Sequence, residues 1–397
     1  MENVRATTRP ALWLMVSILL VALNLRPSMA AVGPLLSAIR GDIPLSFSLA
    51  SLLTMLPVMA MGLAMFFGLS VSQRLGEQRT VVISLSIIGL ATVSRLFVDS
   101  AAELILSAML AGIGIALIQA LMPALIKSRF SDNVAVCMGL YVTSIMGGAA
   151  IAASFAPLVM ARTGSWRAGL AIWAALALVA LLFWGLGRTG TSAPTVLAPH
   201  NTSFLTHSRA WLLAVFFGLG TASYTCVLAW LAPYYVEKGW SEQNAGLLLG
   251  FLTAMEVLSG LVTPAIANRS RDRRLVLVVL LALIMAGFCG LILSPQHFSL
   301  LWPCLLGLGI GGLFPMSLIV SLDHLDNPQR AGGLTAFVQG IGYLIAGLSP
   351  LMAGMVRDRS GSFESAWWCL TGVMALMILI ALRFNPRHYA RQFPGAT

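Results

Sequence analysis

The sequence predicts an all-α polytopic membrane protein of twelve transmembrane helices arranged as two six-helix repeats, and three observations predict it. Of 397 residues, 58% are hydrophobic and 10% charged, against about 25% charged in soluble domains. Apolar runs of about 18 residues or more, enough to cross a bilayer, recur along the whole chain. Short segments of the first half also reappear, in order, in the second.

The runs place spans at 11–36, 47–70, 80–97, 103–126, 134–159 and 168–187, then at 209–235, 244–267, 275–294, 300–321, 331–356 and 366–383. An even number puts both termini on one side, and the distribution of Lys and Arg says which. Arg5, Arg9, Arg74, Arg79, Lys127, Arg129, Arg188, Arg209, Arg269, Arg271, Arg273, Arg274, Arg330, Arg383, Arg387 and Arg391 put 16 cations on the side of the termini. Arg40, Arg162, Arg167, Lys238, Arg357 and Arg359 put 6 on the other. Both termini are therefore expected in the cytoplasm, and Arg26 and Arg95 are left inside spans.

GIGIA at 112–116 returns as GLGIG at 307–311, Gly139-Leu140 as Gly333-Leu334, Gly147 as Gly342, and IAASFAPL at 151–158 as IAGLSPL at 345–351, at offsets of 193 to 195. Ordered matches at nearly constant offset mark an internal repeat. The long polar connection at 188–208 falls between the copies, so the expected domains are 1–187, a linker 188–208, and 209–397. Two similar bundles around a midplane site are the arrangement of alternating-access transporters.

The net charge of +10 would suggest nucleic acid as partner of a soluble protein, but here the charges sit in loops and the expected partner is the bilayer. The five cysteines fall inside apolar runs without metal-binding or redox spacing, and read as small core residues. Walker A, HExxH and GxSxG patterns are absent. Neither an ATP-driven pump nor an enzyme is expected, and no cofactor or metal. A monomer is the expected state.

The stretch VALNLRPSMAAVGPL at 21–35 sets Arg26 and Pro27 inside an apolar run. A basic start, 13 apolar residues from Ala11 to Leu23 and the triplet Ser28-Met29-Ala30 also resemble a secretory signal with its cleavage site. Cleavage would leave eleven helices and break the repeat, so the segment reads as the first span. An arginine at midspan costs about 2.5 to 3.5 kcal/mol on insertion scales and faces a cavity or a partner, not lipid. Pro27 denies the Leu23 carbonyl its helical donor, so a kink is expected there. A guanidinium fork suits a small anion. The structural alternative for Arg26 is an ion pair with Glu256, the one acid placed deep in a span, which in turn could carry a coupling proton. Arg95, near the outer end of its span, is expected to snorkel to the interface and is a secondary anion contact or ion-pair candidate.

Asn24, Gln119, Tyr141, Ser144, Tyr224, Thr225, Trp230, Gln339 and Tyr343 are further substrate-binding candidates by depth, each with interhelical hydrogen bonding as its alternative role. The glycines at 112, 114, 147, 148, 307, 309, 311 and 312 are expected to let helices approach closely.

The twelve-helix, two-repeat layout with its long central loop resembles the major facilitator superfamily. SQRLGEQR at 72–79 is similar to that superfamily's Gly-x-x-x-Asp-Arg-x-Gly-Arg signature: Arg74 and Gly76 match, while Gln73 replaces the Asp and Glu77 an Arg. LNLRPSMAAVGPLL at 23–36, GIGIALIQALMPALIKSRF at 112–130, GLGIGGLFPMSLIVSLDH at 307–324 and AFVQGIGYLIAGLSP at 336–350 resemble the bacterial cyanate transport protein family. That resemblance implies a permease of the bacterial inner membrane that moves cyanate or a similar small anion without ATP. Relatives of the family include exporters of nitroaromatic compounds, so export of a nitroimidazole-like heteroaromatic compound is the second expectation. The fifth span lacks the Gly-Pro signature of proton-driven drug antiporters. A membrane sensor without flux is the reading from another class, and the lack of a soluble signalling domain argues against it.

Overall fold

Helices follow the apolar runs. The computed structural model describes residues 2–130, 134–186, 202–267, 272–325 and 328–391; residues 188–201 of the expected linker, and Arg269 and Arg271, lie outside the described residues. The first span comprises α1 (Glu2–Leu23) and α2 (Pro27–Ala30), and α3 (Val32–Asp42) continues it. Then come α4 (Phe47–Leu75), α5 (Glu77–Val93) with a 3-10 turn (Ser94–Phe97), α6 (Ala101–Arg129), α7 (Val134–Thr163), and α8 (Trp166–Ala171) with α9 (Ala174–Leu186). The second half holds α10 (Ser208–Glu237), α11 (Glu242–Ala267), α12 (Arg274–Leu293), α13 (Leu301–Leu322), α14 (Pro328–Ser360) and α15 (Glu364–Leu382). Among the described residues 12 segments are long and apolar enough to cross a membrane.

Local chemistry sets the boundaries. Gly76, in the signature-like loop, takes φ +83°, a conformation that favours glycine, and separates α4 from α5. Ser100 and Glu103 form a reciprocal capping box at the start of α6, which satisfies two otherwise orphaned amides. Large apolar side chains such as Leu90, Phe97, Leu186, Leu275 and Leu379 are exposed on the bundle's outer surface, as lipid contact requires and water would not tolerate. Of the cysteines, Cys137 and Cys226 are buried, Cys289 and Cys304 half-buried and Cys369 exposed, so the expectation of core residues fails at Cys369, which lies on that outer surface.

The helix pairings of the first half recur in the second. The pairs α1 with α7, α4 with α6, α5 with α6 and α5 with α9 are matched by α10 with α14, α11 with α13, α12 with α13 and α12 with α15. The halves meet along α4 with α14 and along α7 with α11. The repeated glycine motif has the same job in each copy. A Cβ at Gly112 would lie 2.5 Å from the Pro57 Cα in α4, and one at Gly114 would lie 2.6 Å from the Ser84 carbonyl in α5. In the second copy a Cβ at Gly307 would collide with the Leu252 carbonyl of α11, and one at Gly309 would lie 2.8 Å from the Leu280 carbonyl of α12. Each motif thus wedges one helix between two others at backbone distance, and this contact is what conserves dispersion energy where burial from water contributes little.

Gly112→Ala should therefore destabilise the folded protein by about 1 to 3 kcal/mol through overpacking against backbone. Gly372→Ala, where an added Cβ would meet nothing within 4 Å, should be neutral or stabilise by about 0.5 to 1 kcal/mol. Thermal unfolding of the two purified variants in the same detergent checks the contrast.

Candidate functional site

The first span breaks where its sequence denies it hydrogen bonds. Helix α1 ends at Leu23, and the Asn24 and Leu25 amides bond back three residues, to the Val21 and Ala22 carbonyls at 3.1 Å each, the tightened geometry of a helix end. Pro27 has no amide hydrogen for the Leu23 carbonyl and becomes the first residue of α2, where its fixed φ is favourable. The expected kink is thus a full interruption at residues 24–26. Gly148 of α7 makes room for it, since a Cβ there would collide with the Leu23 carbonyl oxygen. The Asn24 amide group donates to the Leu20 carbonyl at 2.7 Å and the Leu176 carbonyl at 3.4 Å, tying the break to α9.

Arg26 sits in the break and is only 4% exposed. Its Nε and Nη1 are buried without a hydrogen-bond partner among the described residues, and its guanidinium lies 5.3 Å from the centre of the Tyr224 ring. It faces a cavity of about 500 Å³ that is also lined by Tyr224 and Glu256. Both Glu256 carboxylate oxygens and the hydroxyls of Tyr141 and Tyr224 are likewise buried without a hydrogen-bond partner. Glu256, Tyr141, Tyr224 and Tyr343 all lie within electrostatic range of Arg26. Arg26 and Glu256 are coupled across the cavity without hydrogen bonding to each other. A cationic fork, the Tyr224 phenol and one carboxylate on an apolar wall can bind a small planar or linear anion and balance its charge.

The wall comes from α7, α10, α11 and α13, including Met138, Val142 and Met146, Phe217, Thr221 and Phe314. Tyr224 is the cavity residue farthest from the start of α10, and Glu256 the one farthest from the end of α11. The charged cluster is therefore the deep end. The cavity runs from it toward the face where α7 and α10 begin and α11 and α13 end.

The opposite face is sealed by contacts between the halves. Asp358, near the end of α14, accepts hydrogen bonds from the Phe47 amide at 3.1 Å, the Ser48 amide at 2.9 Å and the Ser48 hydroxyl, capping α4 from across the interface. Glu242, at the start of α11, accepts from the Ser37 hydroxyl and, at 3.1 Å, from the Ala38 amide. Arg40 and Arg357 stack over the Phe47 ring at 3.8 and 4.8 Å.

Of the sequence candidates, Arg26, Tyr224 and Glu256 line the cavity; Tyr141 and Tyr343 lie within electrostatic range of Arg26 but outside that lining. Trp230 instead packs between Phe47 and Phe363 in the sealed end and donates to the Pro350 carbonyl at 3.0 Å. Asn24, Gln119 and Gln339 do not line the cavity, and Thr225 is bonded to the Ala346 carbonyl of α14 at 3.0 Å. Arg95 does not snorkel: it is fully buried on its 3-10 turn, because its side of that turn faces α2, α6 and α8 while Leu96 and Phe97 take the exposed side. The wall residues escaped sequence reasoning. Met138, Val142 and Met146 recur every four residues on one face of α7, but α7 is apolar all round, so the spacing carries no contrast.

The Major Facilitator Superfamily model matches residues 14–347. The chain is 40% identical over 376 residues to the cyanate transport protein CynX of Escherichia coli, covering 93% of this chain and 96% of that protein. It is 29% identical over 373 residues to the 2-nitroimidazole transporter of Escherichia coli, with 93% of each chain covered. Among solved structures, a D-xylose-proton symporter superposes with a TM-score of 0.77 at 14% identity, covering 94% of this chain and 98% of that one, a likeness of fold. Because the family match crosses both halves and the central loop between them, the chain belongs to the major facilitator superfamily and is a multi-pass membrane transporter, not an enzyme.

Proposed function

We propose that the protein moves a small anion, cyanate first among the candidates, across the bacterial inner membrane by alternating access, with Arg26 as the group the anion meets. The observation that carries this is the Arg26 guanidinium, buried in the spans with Nε and Nη1 unpartnered beside the cavity. The 40% identity to a cyanate transport protein supports the choice of anion. Tyr224, whose hydroxyl is buried without a hydrogen-bond partner among the described residues, supplies a neutral donor. A triatomic anion needs only the deep end of the cavity; the apolar length beyond is its passage. The basic loops put the termini in the cytoplasm, so the cavity faces the cytoplasm and the Asp358 and Glu242 contacts close the outer side. The bundles 1–187 and 209–397 then rock about the site, linked by 188–208. Glu256 balances Arg26 between cycles and takes a proton when the anion arrives, since an anion and a bare carboxylate in one apolar chamber repel.

Counterflow of labelled cyanate in proteoliposomes tests the reading. Arg26→Ala should reduce flux or affinity by about 10- to 100-fold, the value of a lost charged hydrogen-bond pair, and Arg26→Lys should recover little because the fork is gone. Normal transport by Arg26→Ala overturns the anion site. Flux of 2-nitroimidazole with none of cyanate moves the assignment to a heteroaromatic solute, and flux of neither marks a sensor.

Glu256→Gln should keep counterflow while losing accumulation driven by a pH gradient. Retained gradient-driven accumulation would remove Glu256 as the proton carrier.

Asp358→Ala should weaken the cross-interface cap by about 0.5 to 2 kcal/mol, opening the outer side more often. Maleimide labelling from outside of a Ser51→Cys reporter, at a position fully buried one turn inside the cap, should speed up roughly 2- to 30-fold, and an unchanged rate would exclude the cap as a gate.

A further inference from the structure

Arg95, like Arg26, is buried in the spans, and the cavity does not reach it. Its Nη1 donates to the Ser28 carbonyl at 2.9 Å and its Nε to the Ser107 hydroxyl at 3.1 Å. Ser107 is itself aimed by donating to the Leu104 carbonyl at 2.7 Å, which leaves its oxygen lone pairs to receive Arg95. Among the described residues no acid forms an ion pair with Arg95. Neutralising a carboxylate is therefore not its task.

Ser28 is two residues from Arg26, in the four-residue helix that follows the break. That segment is weakly self-supporting. The interruption removes helical bonds on its N-terminal side, and its own backbone bonds run from the Met29, Ala30 and Ala31 amides to the Arg26 and Pro27 carbonyls. A guanidinium with two hydrogen bonds, one to this segment and one to α6, fixes the position of α2 where a hydrophobic contact could let it slide or rotate.

We infer that Arg95 is a positioning residue for the anion site: by clamping the Ser28 carbonyl to α6 it holds α2 in place and thereby aims the Arg26 fork into the cavity. The inference rests on Arg26 being the anion contact. Its geometry follows from the helix: displacing α2 moves Arg26 with it, and small misplacements of a binding group are costly.

The experiment compares Arg95→Gln, Arg95→Lys, Ser107→Ala and Arg26→Ala in the full-length reconstituted protein, reading the cyanate KM and maximum rate of counterflow, and thermal stability without cyanate. Arg95→Gln should raise KM about tenfold with the maximum rate within about twofold of the parent. Arg95→Lys, which keeps one donor direction, should fall between. Ser107→Ala, which releases Nε and leaves Arg95 in place, should raise KM by about two- to threefold and decides the matter if Arg95→Gln does not fold. An unchanged KM in folded Arg95→Gln or in Ser107→Ala, or a loss confined to stability or maximum rate, overturns the inference. Failure of the underlying anion site shows separately, as normal transport by Arg26→Ala alone.

Discussion

The buried charge of Arg26 is the constraint around which the first half is built. A guanidinium at midspan costs several kcal/mol unless something meets it, and here its Nε and Nη1 meet no acceptor among the described residues. The chain has nonetheless arranged its backbone to keep it there. Pro27 interrupts the helix, Gly148 yields space to the Leu23 carbonyl, Asn24 ties off the broken end, and Arg95 holds the segment beyond. On the proposed anion site, these supports hold the two unpartnered donors of Arg26 where a solute would meet them.

The repeats supply symmetry of packing and asymmetry of chemistry. The glycine motifs at 112–116 and 307–311 wedge corresponding helices at backbone distance, so each half is a stiff unit. Yet the first half contributes the arginine and the second the carboxylate and Tyr224, and the cavity lies where the two meet. On the proposed alternating access, small changes in how the halves tilt would alter access to the site without remaking it, because the helix contacts inside each half leave little room to deform. The contacts at the sealed end have the opposite character. Asp358 binds amides and a hydroxyl at the start of α4 and Glu242 a hydroxyl and an amide within α3, polar bonds that water can replace when the units part.

Much of this was legible in the sequence because the bilayer penalises the alternatives. Span number, the repeat and the role of Gly112, Gly114, Gly307 and Gly309 follow from length, order and residue size, and Arg26 and Glu256 stand out because charge in a span is expensive. Azimuth was not legible. Trp230 and Tyr224 lie six residues apart on the same helix, but the first packs into the sealed end and the second faces the cavity. Nothing in a helix that is apolar on every side distinguishes them. Arg95 was misjudged for a related reason: snorkelling depends on whether the end of a span meets lipid or protein, which is decided by the helices packed around it.

The central claim is that a linear anion binds the Arg26 fork at the deep end of the cavity, and a heavy-atom analogue tests it most directly. Selenocyanate, once shown to compete with cyanate in counterflow, carries an anomalous scatterer on a triatomic anion. Crystals grown with it should show a selenium peak within about 4 Å of the Arg26 guanidinium or the Tyr224 ring, and the peak should vanish in Arg26→Ala. A competing analogue whose selenium lies elsewhere, or stays in place when Arg26 is removed, would contradict the account.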